Sequence, residues 1–197
     1  IVCMSFIISL KGGEMQIIKI VLSMLLCASL SYAESVADKR KAINTESQET
    51  LAMLYKAYPS SKNDIKQAYG YATFSNIGVN LIFLSAEGGS GVTVNNKTSK
   101  KTYMKMASGG IGIGLGVKDF RAIFVFDNKD VLESFVNNGW EANAQADAAA
   151  KSDSKGGSFE GAVTVQPGMR LYKLTKNGLA LQATVQGTKY WKDDDLN

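Results

Sequence analysis

The sequence has no histidine. Its two cysteines, Cys3 and Cys27, both fall near the start, and Pro59 and Pro167 are its only prolines. Each shortage excludes chemistry. Without histidine there is no imidazole acid or base and no histidine metal ligand. Both cysteines sit in or before a stretch that reads as a removable leader. Once that leader is lost, disulfides, thiol nucleophiles and thiolate zinc sites are excluded together. The apolar stretch near the start is shorter than the roughly 20 residues needed to cross a bilayer.

The leader reading rests on order. Met15 is followed by Lys19, then "IVLSMLLCASL", then "SYA" before Glu34. This is a basic n-region, an apolar h-region and a small-x-small cleavage site with Ser31 and Ala33 at its key positions. Residues 15–33 are therefore expected to be a secretory leader cut after Ala33, placing the protein in the periplasm or outside the cell. Leu26 precedes Cys27 where a lipoprotein signal wants a small residue, so lipidation is not expected. "KGGE", Lys11–Glu14, is the translation expected from a purine-rich ribosome-binding site. Residues 1–14 thus read as an untranslated stretch ahead of Met15 in a bacterial gene.

Removing 33 of 197 residues leaves 164, enough for one domain. The whole chain carries 22 basic and 18 acidic residues, a net +4. That permits attraction to anionic surfaces without being a nucleic-acid signature. No metal, cofactor or nucleic-acid partner is expected, and a monomer is.

Period and punctuation divide what remains. Residues 34–69 read as helical. "TESQETLAMLYKAY" offers Thr45 as N-cap with Gln48 three residues on, then Leu51, Leu54, Tyr55 and Tyr58 on one face before Pro59. "SSKNDIKQAY" restarts a helix with Ser61 as cap. From residue 70 the period becomes two: "YATFS", "VNLIFL", "GVTVN" and "KTYMKM" are short strands, with "NNKTSKK" as a polar turn. "FRAIFVF" is apolar throughout and reads as a central strand covered on both faces. "DNKDVLESFVNNGW" is a helix between an Asp127 or Asn128 cap and Gly139, with Val131, Leu132, Phe135 and Val136 inward. "AVTVQ", "MRLYKLT" and "LALQATVQG" are strands, the last two flanking an Asn177-Gly178 hairpin turn. The fold class is α+β: N-terminal helices, then a mainly antiparallel, strongly bent sheet or partial barrel with one inserted helix.

"SGGIGIGLGVKDF" carries glycine at strict period two. It fails the spacing of a dinucleotide fingerprint and lacks the Gly-Lys-Ser/Thr ending of a P-loop. In a strand, Gly110, Gly112, Gly114 and Gly116 share one face, opposite Ile111, Ile113, Leu115 and Val117. That bare face suits close packing by another element, a flat or chain-like ligand, or a partner.

With "YGYATFSNIGV", "EGGSGVTV", "KTYMKMASGGIGIGLGVKDFRAIFVF" and "NKDVLESFVNNGW" in this order, residues 70–197 resemble the SYLF domain family of lipid-binding proteins, which includes yeast actin-patch regulators. The tail "NGLALQATVQGTKYWKDDDLN" looks like an exported bacterial branch. The resemblance implies a phospholipid-binding module without catalysis. The transferable ligand is an anionic head group of a Gram-negative envelope, such as phosphatidylglycerol, cardiolipin or lipopolysaccharide.

Such a ligand needs cations beside apolar surface. The candidates are Lys39, Arg40 and Lys41, then Lys97, Lys100 and Lys101, and after them Lys56, Lys62 and Lys66. A solvated polar face is the plainer reading of each group. Trp140 and Trp191 are candidate interfacial anchors or partial core, and Asp193, Asp194 and Asp195 read as a solvated acidic tail. The competing class is an interaction protein that meets an envelope protein through a sheet edge or the tail, with no lipid ligand.

Overall fold

A computed structural model describes residues 35–76, 87–108, 120–142, 161–175, 178–179 and 188–197. Val36–Asn197 forms one compact unit. The leader, its cleavage site and the glycine run 110–116 lie outside the described residues.

Helix α1 (Val36–Ala57) is one uninterrupted helix, and α2 (Ser61–Gln67) follows Pro59. The segment is helical as expected, but Thr45 is not an N-cap, because it sits mid-helix. No glycine or proline breaks 36–57. Ile43, upstream of Thr45, is buried against Val92, Tyr103 and Leu196, which holds the earlier turns in place. Tertiary contact overrides a local capping signal here. The cap of α2 is also displaced by one residue, from Ser61 to Ser60. The Ser61 hydroxyl donates instead to the Tyr58 carbonyl at 2.6 Å.

The strands are β1 (Gly70–Ser75), β2 (Glu87–Asn95), β3 (Lys101–Ser108), β4 (Arg121–Phe126), β5 (Trp140–Glu141), β6 (Val163–Gln166), β7 (Met169–Thr175), β8 (Gly178–Leu179) and β9 (Thr188–Lys192). All pair antiparallel in one curled half-barrel sheet of order β5-β9-β3-β2-β1-β4-β7-β6. β8 continues the β6 side of β7, with Thr175 opposite Gly178 as the expected hairpin requires. Helix α3 (Lys129–Asn138) is inserted after β4. It is capped by the Asn128 side chain, which accepts from the Val131 N–H at 3.0 Å, and ends at Gly139, whose φ of 71° is easy only for glycine.

Alternation sends side chains to two covered faces. Ala72, Phe74, Phe124, Phe126 and Leu171 point to the face under α3, where Phe135 and Tyr190 complete an aromatic cluster. Phe124 lies edge-on to Phe74 and Tyr190, with centroids 5.9 and 4.9 Å away. Such geometry adds about 0.5–1.5 kcal/mol per pair beyond area burial. The opposite face carries Ile123, Val125, Tyr172 and Leu174 against Leu54 and Ile65 of α1 and α2. All six residues of β4 are buried, as its unbroken apolar run requires. At Gly91 a side chain would collide with the Phe74 ring, so this strand glycine makes room for the cluster.

Two arginines are buried under the α1/α2 layer. Arg121 donates to Glu46 and to the Thr50 hydroxyl, each at 2.9 Å. Arg170 pairs with Asp64 of α2 and with Asp127, and the Tyr172 hydroxyl donates to Asp64 at 2.9 Å. These contacts pin both helices to the sheet. Removing one partner of a buried pair costs about 3–5 kcal/mol. Arg170→Met is therefore expected to lower unfolding free energy by about that much in urea titration. An unchanged midpoint would mean the ion pairs do not hold α2.

Tyr172 and Tyr190 both have phenol pKa values raised, first by burial and for Tyr172 next by the Asp64 charge. A raised folded-state pKa contributes stability that is complete below the ordinary tyrosine value of 10.0 and is lost as pH rises beyond it. The Tyr190 hydroxyl is buried without a hydrogen-bond partner among the described residues. Tyr190→Phe should add about 1 kcal/mol at neutral pH and make the alkaline fall in stability shallower. Melting curves between pH 7 and 11 check both, and a loss of stability at pH 7 would contradict the assignment.

Candidate functional site

The first residues of β3, the end of β9 and the last turn of α3 meet at one rim of the sheet. The N-terminal half of α1 and the chain end close over it. They line an open pocket of about 400 Å³ whose cations are Arg40, Lys100, Lys101 and Lys192. Tyr103, Val136 and Leu196 supply apolar wall. Among the described residues lining it no side chain is a carboxylate. Its size is that of sites for small ligands, about 300–1,000 Å³.

Sequence alternation builds this wall. Lys101 and Tyr103 point to the α1 side of β3, and Thr102 points to the α3 side. The Arg40 guanidinium lies 5.5 Å from the centroid of the Tyr103 ring, and its Nε donates to the Leu196 carbonyl at 2.9 Å. Its two terminal nitrogens have no partner among the described residues. A fork held in this way loses little entropy when it takes two oxygens of an anion.

Asn44 is the hub. Its Nδ2 donates to the Arg40 carbonyl at 2.6 Å and to the Tyr103 hydroxyl at 2.8 Å. Its Oδ1 accepts from the Lys101 ammonium at 2.6 Å. The Tyr103 oxygen thus acts as acceptor toward Asn44, and among the described residues its O–H has no acceptor. The Lys100 ammonium has no partner among the described residues. The arrangement presents donors and positive charge, and its chemistry is anion binding. The last turn of α3 supplies the opposing influence, a helix C-terminus worth roughly −0.5 charge, against four full cations.

The acidic chain end is folded, which corrects the expectation of a solvated tail. Asp193 is buried, and Asp194–Leu196 form a 3₁₀ turn. Asn197 brackets β3 by accepting from the Tyr103 N–H at 2.9 Å and donating to the Tyr103 carbonyl at 2.8 Å. Lys105 takes Asp193 at 2.9 Å and Asp195 at 3.2 Å, and the Asp193 hydrogen bond leads in raising the Lys105 pKa. Asp194 stands 3.9 Å from Lys192. Two of the three aspartates are thereby occupied by a lysine outside the pocket.

Of the sequence candidates, the structure brings together Arg40, Lys100 and Lys101. Lys39, Lys41 and Lys97 are exposed and do not line this pocket, and Lys56, Lys62 and Lys66 are exposed elsewhere on α1 and α2. Trp140 is half-buried against Phe124 and Tyr190, and its indole donates to Gln166 at 3.2 Å. Trp191 is exposed. Lys192, Tyr103 and Asn44 were missed. The sequence signal available for them was polar alternation in "KTYMKM" and a lysine beside the tail, which carries no information about long-range pairing.

A bacterial relative of the chain exists. Beta cell expansion factor A of Aeromonas veronii is 37% identical over 163 residues, which is 83% of this chain and 60% of that protein. The chain thus spans about three fifths of its relative's length. No protein-family model matches the chain.

Asn44→Ala removes three hydrogen bonds at the hub and is expected to cost about 1–3 kcal/mol in urea unfolding. No change in midpoint would show that Asn44 does not organise the pocket.

Proposed function

We propose that the protein is an exported, non-enzymatic module of the SYLF type that binds anionic phospholipid at the bacterial envelope. The observation that carries this reading is the rim pocket: four cations and a tyrosine hydroxyl beside apolar wall, with no carboxylate side chain among the described lining residues. The leader-like start of the sequence supports export. The buried Arg121 and Arg170 and their partners Glu46 and Asp64 are engaged in holding helices to the sheet, which supports a binding role over a catalytic one. Among the described residues no helix is long and apolar enough to cross a membrane. The membrane contact proposed is peripheral.

Each basic residue at an anionic surface contributes about 1 kcal/mol, so four contribute about 4 kcal/mol. An affinity built on these alone is in the millimolar range. Co-sedimentation with phosphatidylglycerol vesicles should be clear at 50 mM salt and largely lost at 500 mM, with little binding to phosphatidylcholine. Lys101→Gln/Lys192→Gln should reduce binding by roughly tenfold or more. Equal recovery with neutral and anionic vesicles contradicts the reading. Indifference to all vesicles, with crosslinking to an envelope protein, would establish the interaction-protein class instead.

A further inference from the structure

The four cations are divided between two sides of one strand end. Lys101 is tied to Asn44 of α1, and Arg40 lies on the Tyr103 ring, so this pair belongs to the α1 side. Lys192 is opposite Met104 in the ladder, and paired residues share a face. Met104 belongs to the core under α3. Lys100 also lines a smaller cavity of about 130 Å³ with Thr102, Leu132 and Glu133, on the α3 side. Both pairs line the same larger pocket. The first pair is held in place by hydrogen bonds and ring stacking. The second reaches from chain that enters and leaves the sheet.

We propose that this pocket is a two-phosphate site: Arg40 and Lys101 take one phosphoryl group, and Lys100 and Lys192 take a second on the same ligand, which bridges the start of β3. The Arg40 fork matches two oxygens of one phosphate, and the Tyr103 O–H is a further donor beside it. A single phosphodiester carries one negative charge and engages one pair, leaving the other with no side-chain anion among the described residues beyond the exposed Asp194, 3.9 Å from Lys192. A ligand with two linked phosphates engages both, and the second contact forms at high effective concentration. The pocket volume agrees, since about 400 Å³ holds a polyol with two phosphates more fully than one phosphate. The proposal rests on the lipid reading above for the source of the ligand. The two-phosphate chemistry stands apart from it.

The test has a soluble arm and a vesicle arm on the same protein. Calorimetry compares fructose 1,6-bisphosphate with fructose 6-phosphate. Sedimentation compares cardiolipin, two phosphates on one glycerol, with phosphatidylglycerol at equal total phosphate in phosphatidylcholine vesicles. The expected result is a preference of about tenfold or more for the two-phosphate member in at least one arm. Lys101→Gln and Lys100→Gln/Lys192→Gln should each erase that preference, whereas Lys62→Gln/Lys66→Gln should leave it intact. Arg40→Lys, which keeps charge and loses the fork, should weaken it as well. Unchanged melting curves confirm that the variants fold. Preference in the soluble arm with no vesicle binding supports the site and contradicts its lipid source. Preference for cardiolipin alone supports both. Vesicle binding that follows total charge, with no preference in either arm, overturns the two-phosphate site and leaves the lipid reading standing. No binding in any arm overturns both.

Discussion

β4 has no solvent side. Six consecutive residues, Arg121 to Phe126, are buried, so the sheet must be covered on both faces at its centre. The rest follows from that constraint. One cover is α3 with its aromatic cluster, and the other is α1 and α2. The second cover is applied across two arginines, Arg121 on β4 and Arg170 on β7, which lie beneath it. Burying a guanidinium is tolerable only when it is paired. Glu46, Asp64 and Asp127 meet that demand, and in doing so they set where the helices lie.

The placement of α1 leads directly to the site. Because α1 is held at Glu46, Ser47 and Thr50 near its middle, its earlier turns project along the sheet toward the start of β3. Ile43 packs there on Val92, Tyr103 and Leu196. Arg40 then falls on the Tyr103 ring and Asn44 reaches its hydroxyl. The chain end closes the same corner, with Asn197 bonded to both backbone groups of Tyr103. The cations of the pocket are thus carried by parts of the fold fixed for reasons of packing. The charge repulsion among them is tolerated because the site is open to water and the neighbouring aspartates are largely drawn to Lys105.

Legibility in the sequence followed range. The central position of β4 was readable because an unbroken apolar run has no polar side to expose. Helix α3 was readable from its 3.6-residue apolar period between Asn128 and Gly139. The β2–β3 turn and the β7–β8 pairing were readable from local turn chemistry. The helical span of α1 was legible, but Thr45 and Gln48 only imitate a capping box, and the contact that carries the helix past them, Ile43 on Val92, Tyr103 and Leu196, is distant in sequence. The cations were visible singly, but their meeting was not. Arg40 reaches the Leu196 carbonyl 156 residues away. The chain end was read as solvated because three aspartates look hydrophilic, yet Asp193 is buried by its bond to Lys105. The alternating glycines at 110–116, the most distinctive sequence feature, lie outside the described residues. Gly89 and Gly91 show the same principle in β2, where bare backbone admits Met106 and Phe74.

The central claim is that an anionic ligand is met by one preformed rim, built from α1, the start of β3 and the chain end. Amide hydrogen exchange with and without phosphatidylglycerol vesicles tests it most directly. The account predicts added protection confined to Arg40–Asn44, Lys100–Tyr103 and Lys192–Asn197, with the α2 surface around Lys62 and Lys66 unchanged. Protection centred on α2, or spread evenly over every exposed lysine, would contradict it.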